Sequence, residues 1–176
     1  LLSGVKHFHN DTLNTLTDSA LLKVATDMVA FTTDSYVVKP IFFPGGNIGK
    51  LSVCGTVNDL AVAGARPLYL SVGCIIEEGF AFEDLEKIVL TMSEEAAKAN
   101  VSIVTGDTKV VEKGACDQLF INTAGIGIID TPYRQISSGK AIQVGDSILV
   151  NGYIADHGMA VLGKRHELDF TTGITS

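Results

Sequence analysis

The feature that most narrows the fold is the order in which two hydrophobic periods alternate along the chain. Four stretches rich in β-branched and aromatic residues read as strands: "MVAFTTDSYVV" (28–38), "PLYLSVGCII" (67–76), "SIVTGDTKVV" (102–111) and "LFINTAGIGII" (119–129). Between the first two, Leu51, Cys54, Val57, Leu60, Ala61 and Gly64 recur at helical spacing, with the small residues Ser52, Gly55 and Ala63 among them. This predicts a helix with a crowded, close-approach face. Residues 84–100 carry a cleaner amphipathic pattern, with Leu85, Ile88, Val89 and Met92 as its buried stripe, Glu83 and Asp84 in the first turn and Asn100 as the stop. A polar linker (12–22) leads into a short extended piece around Leu21 to Val24, and "GDSILVNGYI" (145–154) reads as a further strand. Strand, helix, strand, helix, strand, strand is an α+β order: a mixed or antiparallel open sheet covered on one face by helices.

The length of 176 residues suits one domain, or one domain plus a piece of another. We expect a first domain over 1–145 and the start of a second over 146–176, where "DHGMAVLGKRHELDF" begins a new helical pattern. The chain opens on Leu1 and stops at "TTGITS", so a fragment is expected. Hydrophobic residues at 46% with only 7% aromatics and 18 glycines point to a Val/Ile/Leu/Ala core with many tight turns.

Acidic residues outnumber basic ones by 20 to 13, and no Lys/Arg cluster is present, which argues against a nucleic-acid partner. No apolar run is long enough to span a bilayer and no secretory leader is visible. Cys54, Cys74 and Cys116 are scattered without a CxxC, which suits reduced thiols, small core residues and a cytoplasmic location.

Asp18, Asp34, Asp59 and Asp107 share one local grammar: an Asp among small or polar residues beside apolar core. Taken singly, each is readily a cap or turn residue. Asp34 and Asp107, however, fall inside apolar strand patterns, and Asp59 inside a helical one, where Asp is a poor former. A carboxylate buried in a strand requires a counter-charge. Mg²⁺ takes one or two carboxylates together with substrate phosphates, so a cation bound to a nucleotide is the expected partner of Asp107. "PGGNIGKLS" (44–52) lacks the Walker spacing, because Pro44 stands where Gly is needed and Leu51 where Ser or Thr is needed. A glycine loop feeding a helix can still offer backbone N–H groups to an anion, with Lys50 and Lys109 as candidate phosphate neutralisers. Lys109 lies two residues from Asp107, hence on the same strand face. The histidines fit solvated roles, with Asp156 before His157 as a helix cap, and neither a Ser-His-Asp arrangement nor a zinc set is present.

"TTDSYVVKPIFFPGGNIGKLSVCGTVNDLAVAGARPLYLS" (32–71), with "IVTGDTKVV", "FINTAGIG", "GDSILVNG" and "DHGMAV", resembles the HypE family of hydrogenase maturation factors. That family belongs to the ATP-using superfamily that includes aminoimidazole ribonucleotide synthetase, selenophosphate synthetase and thiamine-monophosphate kinase. The resemblance runs from about Asp18 to about Gly163 and implies an aminoimidazole ribonucleotide synthetase-type domain whose sheet dimerises into a barrel, with nucleotide sites near the interface. It implies ATP and Mg²⁺ as cofactors and assigns metal-holding roles to Asp18, Asp34, Asp59 and Asp107. Asp34, Gly45, Gly46, Asn47, Lys50, Asn58 and Gly106 are then nucleotide-contacting, and Asp59, Asp107 and Lys109 catalytic. The implied reaction is ATP-dependent dehydration of a carbamoyl group on a C-terminal cysteine to a thiocyanate, the source of hydrogenase cyanide ligands. The implied partners are a second copy, a carbamoyl-transferring maturation protein and iron-scaffold maturation proteins.

The chain departs from the pattern in lacking the N-terminal glycine-rich segment and its His, and in carrying Thr17 where relatives often have a second Asp. The second domain and terminal cysteine are also outside these residues, so the chain alone is not expected to turn over. A sibling synthetase or kinase, or a docking module whose carboxylates cap turns, are the alternative readings.

Overall fold

A computed structural model describes residues 19–24, 27–167 and 173–175. The elements are β1 (Ala20–Val24), β2 (Asp27–Tyr36), a small hairpin of β3 (Phe42–Phe43) and β4 (Gly46–Asn47), α1 (Ile48–Val62), β5 (Arg66–Glu77), α2 (Phe82–Lys98), β6 (Ser102–Val111), β7 (Leu119–Ile129) and α3 (Asp156–Arg165). The main sheet runs β1-β2-β7-β5-β6. Its pairs are antiparallel except β5–β6, which is parallel because α2 carries the chain back across the sheet. This is the mixed sheet with helices that the sequence predicts.

Strand alternation gives the sheet two unlike faces. One is covered by helices and carries Thr32, Gly125 and Leu70 in one transverse row, Asp34, Thr123, Val72 and Gly106 in the next, then Tyr36, Ile121, Cys74 and Thr108. The other carries Phe31, Ile126 and Tyr69 in one row, Thr33, Ala124, Ser71 and Thr105 in the next, then Ser35, Asn122, Gly73 and Asp107. No helix covers this second face among the described residues, and its Phe31, Tyr69, Ile75 and Ile126 are all exposed.

The crowded face of α1 is real and works in two directions. A Cβ at Gly49 would stand 2.6 Å from the Ile88 carbonyl, so α2 closes directly on the α1 backbone. Towards the sheet, a Cβ at Gly125 would stand 2.9 Å from Thr56 and 3.0 Å from Leu60, so β7 meets α1 across a glycine. Both long helices end in the same way. At α1, the N–H of Gly64 (φ +83°) reaches Ala61 and that of Ala65 reaches Leu60; at α2, Asn100 (φ 53°) and Val101 repeat the pattern to Ala97 and Ala96.

Five expectations need correction. The buried stripe of α2 is Ile88, Met92 and Ala96, while Val89 is exposed, because the helix rests on α1 as well as on the sheet. Residues 145–154 form no strand: Ile148, Leu149 and Tyr153 are each more than nine-tenths exposed, with no neighbouring strand to pair with among the described residues. β6 is an edge strand, exposed from Ser102 to Val110, so Asp107 is not buried and the desolvation cost expected of it does not arise. Asp156 is the first residue of α3 rather than its cap, which is Ala155 in a left-handed conformation. The last helix is held to the rest by Arg165 Nε donating to the Lys39 carbonyl (2.8 Å) and by His157 edge-on to Phe43 (ring centroids 5.5 Å). All three cysteines are free but half-buried rather than core residues; Cys74 packs against the core, and burial pushes the Cys54 and Cys74 thiols up.

Candidate functional site

Asp34 and Asp59 both lie along the seam of β2 and α1 on the helix-covered side, Asp59 reaching Thr32, the neighbour of Asp34 on that strand face. Asp34 sits on β2 between Thr32 and Tyr36 on the same face, each about 7 Å along the strand. Its Oδ1 accepts from the Ser35 N–H (2.8 Å). Asp59 lies in the last turns of α1, and its Oδ2 accepts from the Thr32 hydroxyl (3.1 Å). The Ser19 hydroxyl donates to the Asp59 carbonyl (3.0 Å). Behind Asp34, the Tyr36 hydroxyl meets Thr56 Oγ1 (3.0 Å), Thr56 Oγ1 closely meets Thr123 Oγ1, and Thr123 Oγ1 donates to the Ser52 carbonyl (3.1 Å). Burial, reinforced by the Asp34 charge, pushes the Tyr36 phenol up to about 12 against the opposing bond from Thr56.

Asp107 and Lys109 lie elsewhere. They share the open face, as the two-residue spacing predicts, opposite Gly73 and Ile75 of β5. Three strand spacings separate β2 from β6, about 14 Å. Asp34 and Asp107 therefore cannot hold one ion within a single copy. Among the described residues no group of three acidic, His or Cys side chains gathers in metal-binding geometry. Asp18 lies outside the described residues. Asp34 and Asp59 could offer hard oxygen donors of the kind Mg²⁺ prefers, since that ion takes one or two carboxylates beside substrate phosphates. Asp107 and Lys109 border a separate hollow of 390 Å³ on the open face, shared with Ser35 and Asn122. There, Asn122 Nδ2 donates to the Asp34 carbonyl and to Ser35 Oγ, both at 2.9 Å.

The glycine loop is largely engaged by the fold. Asn47 is the N-cap of α1: its Oδ1 accepts from Gly49 N–H (2.8 Å) and Lys50 N–H (3.1 Å), and its Nδ2 donates to Thr91 on α2 (2.9 Å). Lys50 Nζ folds back to the Gly45 carbonyl (2.7 Å), over Gly46, where a Cβ would meet the lysine stem at 2.8 Å. Gly106 has a packing reason of its own, since a Cβ there would stand 2.7 Å from the Val72 carbonyl. Asn58 is exposed beside Asp59. Sequence reasoning missed Ser19, Thr32, Tyr36, Thr56, Thr123 and Asn122. The hydroxyl run around Asp34 in "TTDSY" was the one available signal, since the partners of these groups are 20 or more residues away.

The five-stranded mixed sheet carries two helices on one face and acidic residues at the sheet–helix seam. The profile described as "AIR synthase related protein, N-terminal domain" matches residues 16–129, and the chain belongs to that family. Within it, the likeness is to HypE. The chain is 51% identical, over its whole length and 51% of the relative's, to a carbamoyl dehydratase HypE of Bradyrhizobium diazoefficiens. Among solved structures, a HypE–HypF complex aligns with TM-score 0.88 at 50% identity over 99% of this chain and 56% of the other. A HypE structure in complex with ATP aligns with TM-score 0.80 at 50% identity, over 98% of this chain and 50% of the other. The chain spans about half the length of the curated relatives it matches. No helix among the described residues is long and apolar enough to cross a membrane.

Proposed function

We propose that this chain is the ATP-binding and dimerising part of a cytoplasmic carbamoyl dehydratase that serves [NiFe] hydrogenase maturation. The observation that carries the reading is 51% identity to a carbamoyl dehydratase over an alignment that spans the whole chain. In the proposed reaction the carbamoyl oxygen of a C-terminal cysteine thiocarbamate attacks the γ-phosphorus of ATP and ADP leaves. The C–O bond then breaks, phosphate departs, the nitrogen gives up its two protons, and a thiocyanate remains on sulfur. Little covalent work falls to the protein, so positioning and charge neutralisation dominate.

Asp34 and Asp59 are the residues that would hold Mg²⁺, which supplies charge neutralisation at the phosphates. Their placement at one seam, with Asp59 fixed by Thr32, supports this role. Asp107 and Lys109 face the open side of the sheet, where the exposed Phe31, Tyr69 and Ile126 favour a second copy. In a sheet-to-sheet homodimer, Asp107 and Lys109 act at the interface and need not meet Asp34 of their own copy. A HypF-like carbamoyl-transferring protein is the proposed donor partner, in keeping with the HypE–HypF complex, and iron-scaffold maturation proteins are the proposed acceptors.

Thermal melting with and without Mg-ATP tests the reading. At about 100 times Kd a ligand stabilises by about 2.7 kcal/mol, which is about 5–10 °C for a chain of this size. The rise should be present in the wild type and absent in Asp59→Asn. A wild-type melt unmoved by Mg-ATP at millimolar concentration would count against it.

A further inference from the structure

Asp59 occupies an unfavourable place for a carboxylate. It lies within the last four residues of α1, where the helix end is negative and no basic side chain stands in the last turn. Its carbonyl accepts from Ala63 N–H (3.3 Å) within the helix. Two hydroxyls nonetheless converge on this one residue. Thr32, on β2 and 5% exposed, donates to the carboxylate; Ser19, just before β1 and 1% exposed, donates to the carbonyl. Neither hydroxyl is needed to pack an apolar core, and a buried hydroxyl must find a partner or cost stability. Both find it at the same helical residue, one pinning the backbone and the other setting the side-chain oxygen. Thr is also stiff about its first side-chain torsion, so its hydroxyl is a fixed donor rather than an adaptable one.

We propose that Thr32 and Ser19 are positioning residues: they lock Asp59 towards Asp34 before any ligand arrives, so that the two-carboxylate site is preorganised for a divalent cation. The inference rests on the cation-holding role proposed above for Asp34 and Asp59. Donors that orient a metal-holding carboxylate tune metal affinity about 10–100-fold without touching the ion. Thr32→Val is the informative change because it keeps the branched shape and deletes the donor.

Mn²⁺ is the probe, titrated into the protein with ATP present and followed by electron paramagnetic resonance, alongside thermal melting without metal. Thr32→Val should weaken Mn²⁺ binding at least tenfold, while Thr32→Ser, which restores the hydroxyl, should return it to within about threefold of wild type. Ser19→Ala gives a second reading if Thr32→Val melts early, and should weaken Mn²⁺ in the same direction. A purely structural hydroxyl would lower the melting temperature and leave Mn²⁺ affinity alone; that result, with Asp59→Asn abolishing Mn²⁺ binding, overturns the positioning role but keeps the carboxylate site. Unchanged Mn²⁺ affinity in Asp59→Asn as well would remove both.

Discussion

At the scale of single residues, the seam between β2, β7 and α1 is built from hydroxyls where a core of this composition would otherwise be aliphatic. Tyr36, Thr56 and Thr123 form a buried chain in which each member satisfies the next. A Cβ at Gly55 would overlap the Tyr36 hydroxyl, so the glycine of "CGTV" exists to admit a phenol. The raised Tyr36 phenol has a pH consequence. A group whose folded pKa lies above its unfolded value contributes stability that is complete below the unfolded value and is lost as pH climbs through the folded one. For Tyr36 that window is pH 10 to about 12. In an absorbance titration a tyrosine step should fall near 12, and Tyr36→Phe should remove that step. A titration in which Tyr36→Phe removes no such step would contradict the buried assignment.

At the scale of elements, Asn47 shows how local chemistry and tertiary contact share one side chain. It caps α1 and simultaneously ties Thr91 of α2. Asn47→Ala should cost about 1 kcal/mol for the cap alone, and more because Thr91 loses its partner; chemical denaturation should report the loss as a lower midpoint at unchanged slope. The helices and four long strands were legible because their periods differ and their ends carry turn residues, Gly64 and Asn100 among them. The role of Asn47 was not. In "PGGNIGK" an Asn after two glycines reads equally as turn or cap, and only the arrival of α2 at Gly49 decides between them. The same limit explains 145–154: a short run rich in apolar residues becomes a strand only when an adjacent strand offers a ladder. The open position of β6 was likewise invisible, since "SIVTGDTKVV" has the apolar content of a central strand and its edge status depends on which strands pair elsewhere.

At the scale of the whole molecule, the sheet separates its acidic residues into two sets. Residue type and setting single out Asp34, Asp59 and Asp107 as candidates in the sequence, but cannot show that strand order places about 14 Å between β2 and β6. The apolar row of Phe31, Ile126 and Tyr69 on the uncovered face is the feature that supports the second copy proposed above. Phe31→Asp should therefore shift the protein to monomer in sedimentation velocity while leaving its far-ultraviolet spectrum intact. A Phe31→Asp protein that still sediments as a dimer would place the interface elsewhere.

The pleat of β6 has a further consequence for what kinds of sequence change the chain tolerates. Gly106 and Asp107 are consecutive, yet one looks towards Val72 beneath the helices and the other away from them. Loss or gain of a single codon between residues 102 and 105 would invert that parity, swinging the carboxylate of Asp107 towards Met92 and Ala96 and pressing a side chain where only hydrogen fits. Away from Gly106, Asp107 and Lys109, substitutions along this exposed edge are cheap for the fold; changes in its length are not.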